Sequence, residues 1–164
     1  MAEPEYIILQ GLPTPQVYHD LRKDAGMTPP TLEAVPKSLA NSFVGIVAYE
    51  RVHMLDAATP SPEQIPVGMG RLVGDGSLFL ILVDMAVHPN HQRKGIGKRI
   101  VQALVDYIDE HAPYAYVSLV ADVPGQKLYP QYGFKDVKPS VGMFRMKRGQ
   151  RLQDQVAAEE NPGV

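Results

Sequence analysis

Short apolar runs bounded by turn-forming residues dominate the sequence, and they predict the strands of a sheet. These runs are rich in β-branched and aromatic residues, as strands are. The predicted strands cover residues 6–9, 43–49, 67–73, 78–87, 114–120, 134–137 and 142–147. The segment 78–87 is the most apolar in the chain, which indicates a buried strand.

Between these runs, apolar residues recur at the spacing of a helix. This spacing predicts helices over residues 15–25 and 95–111, a short helix ending near Asn41, and another over 125–132. Thr14 followed by Pro15 is a typical helix start, because the hydroxyl can cap the helix and proline is preset for its first position. The apolar face of the 95–111 helix consists of Ile96, Ile100, Val101, Leu104, Val105 and Ile108.

Connections and ends complete the layout. Residues 74–77, Gly-Asp-Gly-Ser, predict a hairpin turn because they tolerate positive φ. Residues 51–66 contain several prolines and predict a long surface loop. We expect one domain over residues 1–148 and a flexible polar tail over 149–164. The strand, helix, strand order at the centre predicts a mixed α+β fold with one crossover and one parallel pair of strands.

Composition excludes several classes of function. The 164 residues include 16 Lys and Arg against 18 Asp and Glu, so the net charge of -2 makes nucleic acid an unfavoured main ligand. The absence of cysteine excludes a disulfide framework, a thiolate metal site and a cysteine nucleophile. Without a membrane-length apolar run or a signal-like start, we expect a soluble, cytoplasmic protein that does not act at a membrane.

The segment 83–99 carries the chemistry: a buried strand, a turn, two glycines one residue apart and an amphipathic helix. A helix start presents unpaired N–H groups and binds anions, provided that the backbone can be approached closely. Gly95 and Gly97 permit that approach, and the nearby cations are Arg93, Lys94, Lys98 and Arg99. The pattern suits a phosphate group, although a plain glycine turn with solvated basic residues explains it equally well.

Two common phosphate-binding motifs do not match this turn. The P-loop requires Gly-x-x-x-x-Gly-Lys-Ser/Thr, which is absent here. The dinucleotide-binding fingerprint requires a glycine or alanine where Ile100 stands.

The segment Gln92-Arg93-Lys94-Gly95-Ile96-Gly97 resembles the acyl-CoA loop of the GNAT superfamily of N-acetyltransferases. The resemblance extends upstream through residues 84–89, similar to that family's fourth strand, and downstream to Leu128-Tyr129-Pro130-Gln131-Tyr132-Gly133-Phe134. It covers residues 67–147. It implies a central, mostly antiparallel sheet of about six or seven strands, with strands four and five splayed apart and helices on either side. Residues 11–41 resemble, more loosely, the family's two variable helices on the acceptor side.

The resemblance also implies a site. Acetyl-CoA would be the co-substrate and no metal would be needed. The residues implied to bind it are Met85, Ala86, Val87, Gln92, Arg93, Lys94, Gly95, Ile96, Gly97 and Lys98. Within that set, backbone amides from Arg93 to Lys98 would hold the pyrophosphate. Met85 and Val87 would pair with pantetheine as an added strand does, because its two amides suit an open strand edge.

Tyr129 is the predicted general acid, since family members place the Tyr of this motif beside the CoA sulfur. A phenol with a pKa of about 10 is protonated at neutral pH and can donate to a departing thiolate. The alternative is that Tyr129 is a core aromatic residue. Tyr132 is expected to pack or to contact the cofactor.

The sequence does not decide which residue is the general base. Family members with a strand-four carboxylate carry it at the positions of Ile81 and Val83, so this chain departs from that pattern. Strand alternation aims Asp84 at the other face unless a bulge intervenes, and a structural role is favoured for it. Glu50, His53 and His19 remain as relays through water. His88 and His91 are not expected to bind a metal.

These observations favour N-acetylation of a small-molecule amine by direct attack in a ternary complex. Acetylation of a protein lysine or N-terminus is one alternative, and it would need an open groove in place of a pocket closed by residues 26–42 and 51–66. A non-catalytic acyl-CoA sensor is another. A homodimer is possible for this family.

Overall fold

The computed structural model describes residues 5–145. Its strands are β1 (Tyr6–Gln10), β2 (Val44–Glu50), β3 (Gly68–Gly74), β4 (Phe79–Val87) and β5 (Tyr116–Ser118). Its α-helices are α1 (Pro15–Asp24), α2 (Val35–Ala40), α3 (Ile96–His111) and α4 (Gly125–Leu128). Single 3₁₀ turns lie at Arg51–His53, Pro89–His91 and Tyr129–Tyr132. No helix within residues 5–145 is long and apolar enough to cross a bilayer.

The five strands form one mixed sheet in the order β1-β2-β3-β4-β5. Neighbours from β1 to β4 are antiparallel, whereas β4 and β5 are parallel. A parallel pair needs a crossover, and α3 supplies it. The predicted mixed α+β class is confirmed, with five strands in the described part of the chain in place of the six or seven expected.

The chain divides after Phe134 into two compact units, and all of these elements belong to the first. In the second unit residues 135–145 contain no strand, so the strand predicted over 134–137 is wrong and that over 142–147 is absent as far as Arg145. Asp136 accepts a hydrogen bond from Lys138 N at 3.2 Å, a local turn that competes with an extended strand. Residues 146 and 147 and the predicted tail at 149–164 lie outside the described residues.

Two apolar clusters enclose the sheet. On one face the residues of β2, β3 and β4 pack against the buried face of α3, which is formed by Ile96, Ile100, Val101, Leu104 and Ile108. On the other face α1 and α2 contribute Tyr18, Leu21, Val35 and Leu39, which pack on Val47, Met69 and Ala86. The sheet is therefore covered by α3 on one side and by the α1 and α2 segment on the other.

Strands β4 and β5 separate early. Only Phe79, Leu80 and Ile81 pair with β5, whereas β4 continues to Val87. Beyond Ile81 the side of β4 that faces away from β3 therefore has no strand partner within residues 5–145. This is the splay that the resemblance implied.

A bulge interrupts β4 at the same level. Met69 pairs with Ala86 and Arg71 with Val83, so Asp84 and Met85 together oppose Gly70. Asp84 adopts φ 59, a left-handed conformation that Asp tolerates better than most residues. A Cβ on Gly70 would lie 2.5 Å from Met85 Sδ and 2.9 Å from Ile100 Cγ2, so only glycine fits opposite the bulge.

The helix and turn predictions hold closely. Thr14 Oγ1 accepts from Val17 N at 3.3 Å with Pro15 in the first turn, which confirms the start of α1. In the hairpin, Asp75 Oδ1 accepts from the backbone N–H groups of Ser77, Leu78 and Phe79 at 2.8–3.0 Å. These three bonds lower the pKa of the Asp75 carboxyl. Residues 51–66 form a loop that carries only a 3₁₀ turn and one isolated bridge.

Candidate active site

The loop between β4 and α3 presents an open backbone surface. Arg93 at φ 62 and Gly95 at φ 80 turn the chain sharply into α3, and Gly95 is its N-cap. The first helical hydrogen bond runs from Arg99 N to Gly95 O at 3.2 Å. The N–H groups of Ile96, Gly97 and Lys98 therefore have no helical acceptor. A Cβ on Gly95 would meet nothing within 4 Å, so this backbone can be approached closely.

The four predicted cations of the loop have different surroundings. Lys94 pairs with Glu5 at 3.3 Å and lies over the Tyr6 ring, and hydrogen bonds to Tyr6 and Glu5 raise its pKa. Arg99 donates to Tyr6 O at 2.8 Å and ties α3 to β1. Arg93 and Lys98 are exposed and form no ion pair within residues 5–145, so they are the cations left for an anionic ligand.

The open edge of β4 leads into this loop. His88 N donates to Val67 O at 2.8 Å, so the backbone of His88 faces β3. Backbone groups alternate along a strand, which turns those of Val87 and Met85 toward the open edge. Gln92 Nε2 donates to Val87 O at 3.0 Å and braces the turn, so its side chain is structural. Ala86 and Ile96 are buried in the two apolar clusters. The backbone of Ala86 faces β3, like that of His88, so only the backbone of Ile96 is left for a ligand.

Tyr129 begins the 3₁₀ turn after α4 and is 8% exposed. Its ring meets Phe134 edge-on at 5.9 Å between centroids, and its hydroxyl has no hydrogen-bond partner among residues 5–145. Burial, and then the nearby Asp122 carboxylate, raise the pKa of the phenol. Tyr132 is a packing residue: its hydroxyl donates to Lys98 O at 2.9 Å and fixes the 3₁₀ turn against the start of α3.

Asp84 is held between two arginines. Its Oδ2 accepts from Arg71 Nε at 2.7 Å and its Oδ1 from Arg22 Nη1, and the carboxyl side chain is only 5% exposed. The bulge places Asp84 on the same side of β4 as Val83, against the expectation from strand alternation, since both line one cavity. Because each oxygen of the carboxylate pairs with an arginine, neither is free to take a proton from a substrate amine. This favours the structural role over that of a base.

The other predicted proton relays lie elsewhere. Glu50, at the end of β2, contacts His53 Nε2 at 3.0 Å and His91 Nδ1 at 3.2 Å, and His91 also contacts the Tyr6 hydroxyl at 3.1 Å. His19 contacts the adjacent Asp20 at 3.1 Å. Neither Glu50 nor the histidines line the cavity beside Asp84. Among residues 5–145 no three His, Asp or Glu side chains converge as a metal site.

A cavity of about 480 Å³ opens on the α1 and α2 side of the bulge. Its wall combines an aromatic ring, two cations, one carboxylate, neutral polar groups and apolar side chains: Tyr18, Arg22, Pro30, Ser38, Asn41, Arg71, Val73, Val83 and Asp84. Sequence reasoning missed Arg22 and Arg71. The available signal was a charge of each sign, Arg71 and Asp84, in the middle of two consecutive apolar strands, which requires a buried partner.

Comparison with known proteins decides the family. The family model of the acetyltransferase (GNAT) domain matches residues 45–136, which include all but the first residue of β2, the whole of β3 to β5, α3 and the loop before it. The chain belongs to the GNAT acetyltransferase family. SA2161 from methicillin-resistant Staphylococcus aureus, a protein of unknown function described as a probable acetyltransferase, has a similar structure. It is 33% identical, with a TM-score of 0.73 over 87% of this chain and 99% of SA2161.

Two further relatives mark the limits of the likeness. The GNAT protein YhbS from Escherichia coli, solved in complex with CoA, shares the fold at 17% identity, with a TM-score of 0.61 over 82% of this chain and 71% of YhbS. The UPF0157 protein YqkA of Bacillus subtilis is 30% identical over 83 residues, which are 46% of this chain and 24% of YqkA. This chain therefore matches about a quarter of YqkA.

Proposed function

We propose that this GNAT chain is an acetyl-CoA-dependent N-acetyltransferase that acts on the amine of a small molecule by direct attack in a ternary complex. The observation that carries the proposal is the continuous path from the open edge of β4 to the unpaired N–H groups at the start of α3. A cavity meets that path from the other side at Val83 and Asp84. The complex of the fold relative YhbS with CoA supports the choice of co-substrate.

The residues of the path fit the parts of acetyl-CoA in turn. The N–H groups of Ile96, Gly97 and Lys98 suit the pyrophosphate, with Arg93 and Lys98 adding positive charge. The backbones of Met85 and Val87 suit the amides of pantetheine, in the manner of an added strand. When bound, acetyl-CoA supplies an acetyl thioester that is activated toward an amine.

The chain's own groups then serve the transfer. Attack by the amine forms the C–N bond as the C–S bond breaks, and the departing thiolate takes a proton, which we assign to the Tyr129 hydroxyl. The amine loses its own proton to solvent or through a relay of waters. The size of the cavity favours a small molecule over a peptide, because pockets of 300–1,000 Å³ are typical of small-ligand sites.

Acetyl-CoA should raise the melting temperature of the protein. A ligand at about one hundred times its dissociation constant adds roughly 2.7 kcal/mol to stability, which is about 5–10 °C for a domain of this size. Differential scanning calorimetry measures the shift, with ATP and NAD as controls that should give none. Equal shifts from ATP would instead indicate a generic nucleotide site.

Turnover separates the enzyme from a sensor. Acetyl-CoA incubated with polyamines, arylalkylamines, amino acids and peptides should release free thiol with at least one small amine. Binding of acetyl-CoA without thiol release from any acceptor would favour the sensor, and release with peptides alone would favour a protein substrate.

Replacing Gly97 by Val should weaken acetyl-CoA binding about 10- to 100-fold with little loss of fold. The nearest atom to a Cβ at this position is Leu128 Cδ2 at 4.0 Å, so the protein itself has room for the side chain. A branched side chain would stand where the pyrophosphate must touch backbone. Isothermal titration calorimetry measures the affinity.

Asp109→Val is the matched control for Gly97→Val, because it places the same residue at an exposed position of α3. It should bind acetyl-CoA as the unmodified protein does. Unchanged affinity in Gly97→Val would show that the loop assignment is wrong.

A further inference from the structure

The cavity beside the bulge carries an excess of positive charge. Its ionisable lining consists of Tyr18, Arg22, Arg71 and Asp84. Burial is the main factor that raises the pKa of Tyr18, so the phenol is neutral at physiological pH. Two guanidinium cations and one carboxylate therefore leave a net charge of +1 on the wall.

Arg71 uses nearly all of its hydrogen-bond donors within the protein. Besides Asp84, it donates from Nη1 to Ser38 O at 3.0 Å and to Ser42 Oγ at 2.6 Å, and from Nη2 to Ser38 Oγ at 3.1 Å. With its Nε bond to Asp84, four of its five N–H groups are used. Arg71 therefore anchors Asp84 and α2 and has little capacity for a ligand.

Arg22 retains free donors. Its Nη1 pairs with Asp84, and its Nε and Nη2 donate to Thr28 O at 3.1 and 2.8 Å. These bonds use three of its five N–H groups and leave one on each terminal nitrogen without an acceptor in residues 5–145. The side chain is 18% exposed, so it is held in place yet accessible from the cavity.

The surroundings do not neutralise this charge. A neighbouring depression shares Ser38 and Asn41 with the cavity and adds Glu33 and Lys37, whose charges cancel. The Tyr18 ring lies 5.9 Å from Arg22 Cζ and 5.4 Å from Arg71 Cζ, which orders both cations around an apolar surface. An anion bound at Arg22 would neutralise the net positive charge of the cavity wall and would accept hydrogen bonds from the two free N–H groups of Arg22.

We infer that the acceptor is an amine that also carries an anionic oxygen group, a carboxylate or a phosphate, and that Arg22 binds this group. The inference rests on the proposed function, since it names the acceptor class of that reaction. Guanidinium groups bind both kinds of anion through paired N–H donors. The cavity touches β4 at the bulge, so an amine whose anionic group lies at Arg22 can be directed toward the open edge of the strand.

Matched pairs of amines test the inference. Phenylalanine is compared with 2-phenylethylamine, and O-phosphoethanolamine with ethanolamine, so that each pair differs in its anionic group. Thiol release gives kcat/KM, and calorimetry in the presence of CoA gives binding independently of turnover. The anionic member of at least one pair should be favoured about 10- to 100-fold, and the pair that shows the preference distinguishes carboxylate from phosphate.

Arg22→Gln should abolish that preference. The variant leaves Asp84 paired with Arg71, so the buried pair stays balanced and the fold should survive. Its affinity for acetyl-CoA should be unchanged, and its kcat/KM should fall about 10- to 100-fold more for the anionic amine than for the neutral partner of the same pair. Arg22→Lys should recover part of the preference, because it keeps the charge and loses the paired donors. Lys23→Gln, one residue away and exposed, makes the same change in net charge and should keep the full preference.

Failure of the inferred acceptor class and failure of the proposed function give different results. If neutral amines are bound and acetylated as well as their anionic partners, or if Arg22→Gln leaves the preference intact, the acceptor class is wrong while the transfer reaction stands. If acetyl-CoA neither binds nor releases thiol with any amine, the proposed function is wrong. The calorimetric comparison of each pair in the Arg22 variants then still decides whether the cavity binds anions.

Discussion

Asp84→Asn should lower the free energy of unfolding by about 3–5 kcal/mol, the cost of removing one partner from a buried ion pair. The change leaves Arg71, whose side chain is 4% exposed, and Arg22 together without a counter-charge. Asn tolerates the left-handed conformation that Asp84 adopts, so the substitution tests the charge and spares the backbone. Urea unfolding measures the change, and the melting temperature should fall by about 6–20 °C.

The control for Asp84→Asn is Asp109→Asn, the same substitution at an exposed position of α3. It should change stability by less than about 0.5 kcal/mol. Adding Arg22→Gln to Asp84→Asn removes one of the two cations that lack a counter-charge and should recover part of the lost free energy of unfolding. If Asp84→Asn is as stable as the unmodified protein, the carboxylate is not what holds the two arginines.

The parts of the fold that were predicted correctly from the sequence are set by interactions between residues that are close together in the chain. The limits of α3 and of the loop before it follow from helical spacing and from two glycines, and neighbouring residues fix both. The hairpin at 74–77 is likewise local, because Asp75 bonds to residues that directly follow it. Where the physical cause lies within a few residues, the sequence pattern is sufficient.

The cavity could not be predicted in this way. Arg22 and Asp84 stand 62 positions apart, and only the packing of α1 on the sheet brings them together. Alternation put Asp84 on the wrong side of β4, because the bulge moves it to the side of Val83 and no residue in β4 signals the shift by itself. Gly70 was an indirect sign, since a Cβ there would lie 2.5 Å from Met85 Sδ and 2.9 Å from Ile100 Cγ2.

The strand predicted over 134–137 failed for a local reason. A run of four residues carries a weak signal, and the side chain of Asp136 bonds to the backbone of Lys138 in place of a neighbouring strand. β5 is shorter than its apolar pattern predicts, because it pairs with β4 over three residues only. Pairing between distant strands decides the length of β5, and a short pattern does not contain it.

Tyr129→Phe should lower kcat about 100-fold while the affinity for acetyl-CoA stays nearly unchanged. The substitution removes one oxygen and keeps the ring that packs against Phe134. The hydroxyl bonds to no other group in residues 5–145, so its loss strands no buried partner and should cost little stability. General acid catalysis contributes about 10²- to 10⁴-fold, and the low end applies because a thiolate with a pKa near 8.5 leaves fairly well without help.

The measurements for Tyr129→Phe are kcat on any acceptor from the screen and calorimetry with acetyl-CoA. Tyr114→Phe, at a tyrosine that is 87% exposed, is the matched control and should keep full kcat. Burial, and then the Asp122 carboxylate, raise the pKa of Tyr129 above that of an ordinary tyrosine, so any loss of kcat caused by its ionisation should occur at higher pH than for an exposed tyrosine. Full kcat in Tyr129→Phe would assign the residue to packing alone, and loss of acetyl-CoA binding would assign its hydroxyl to the cofactor site.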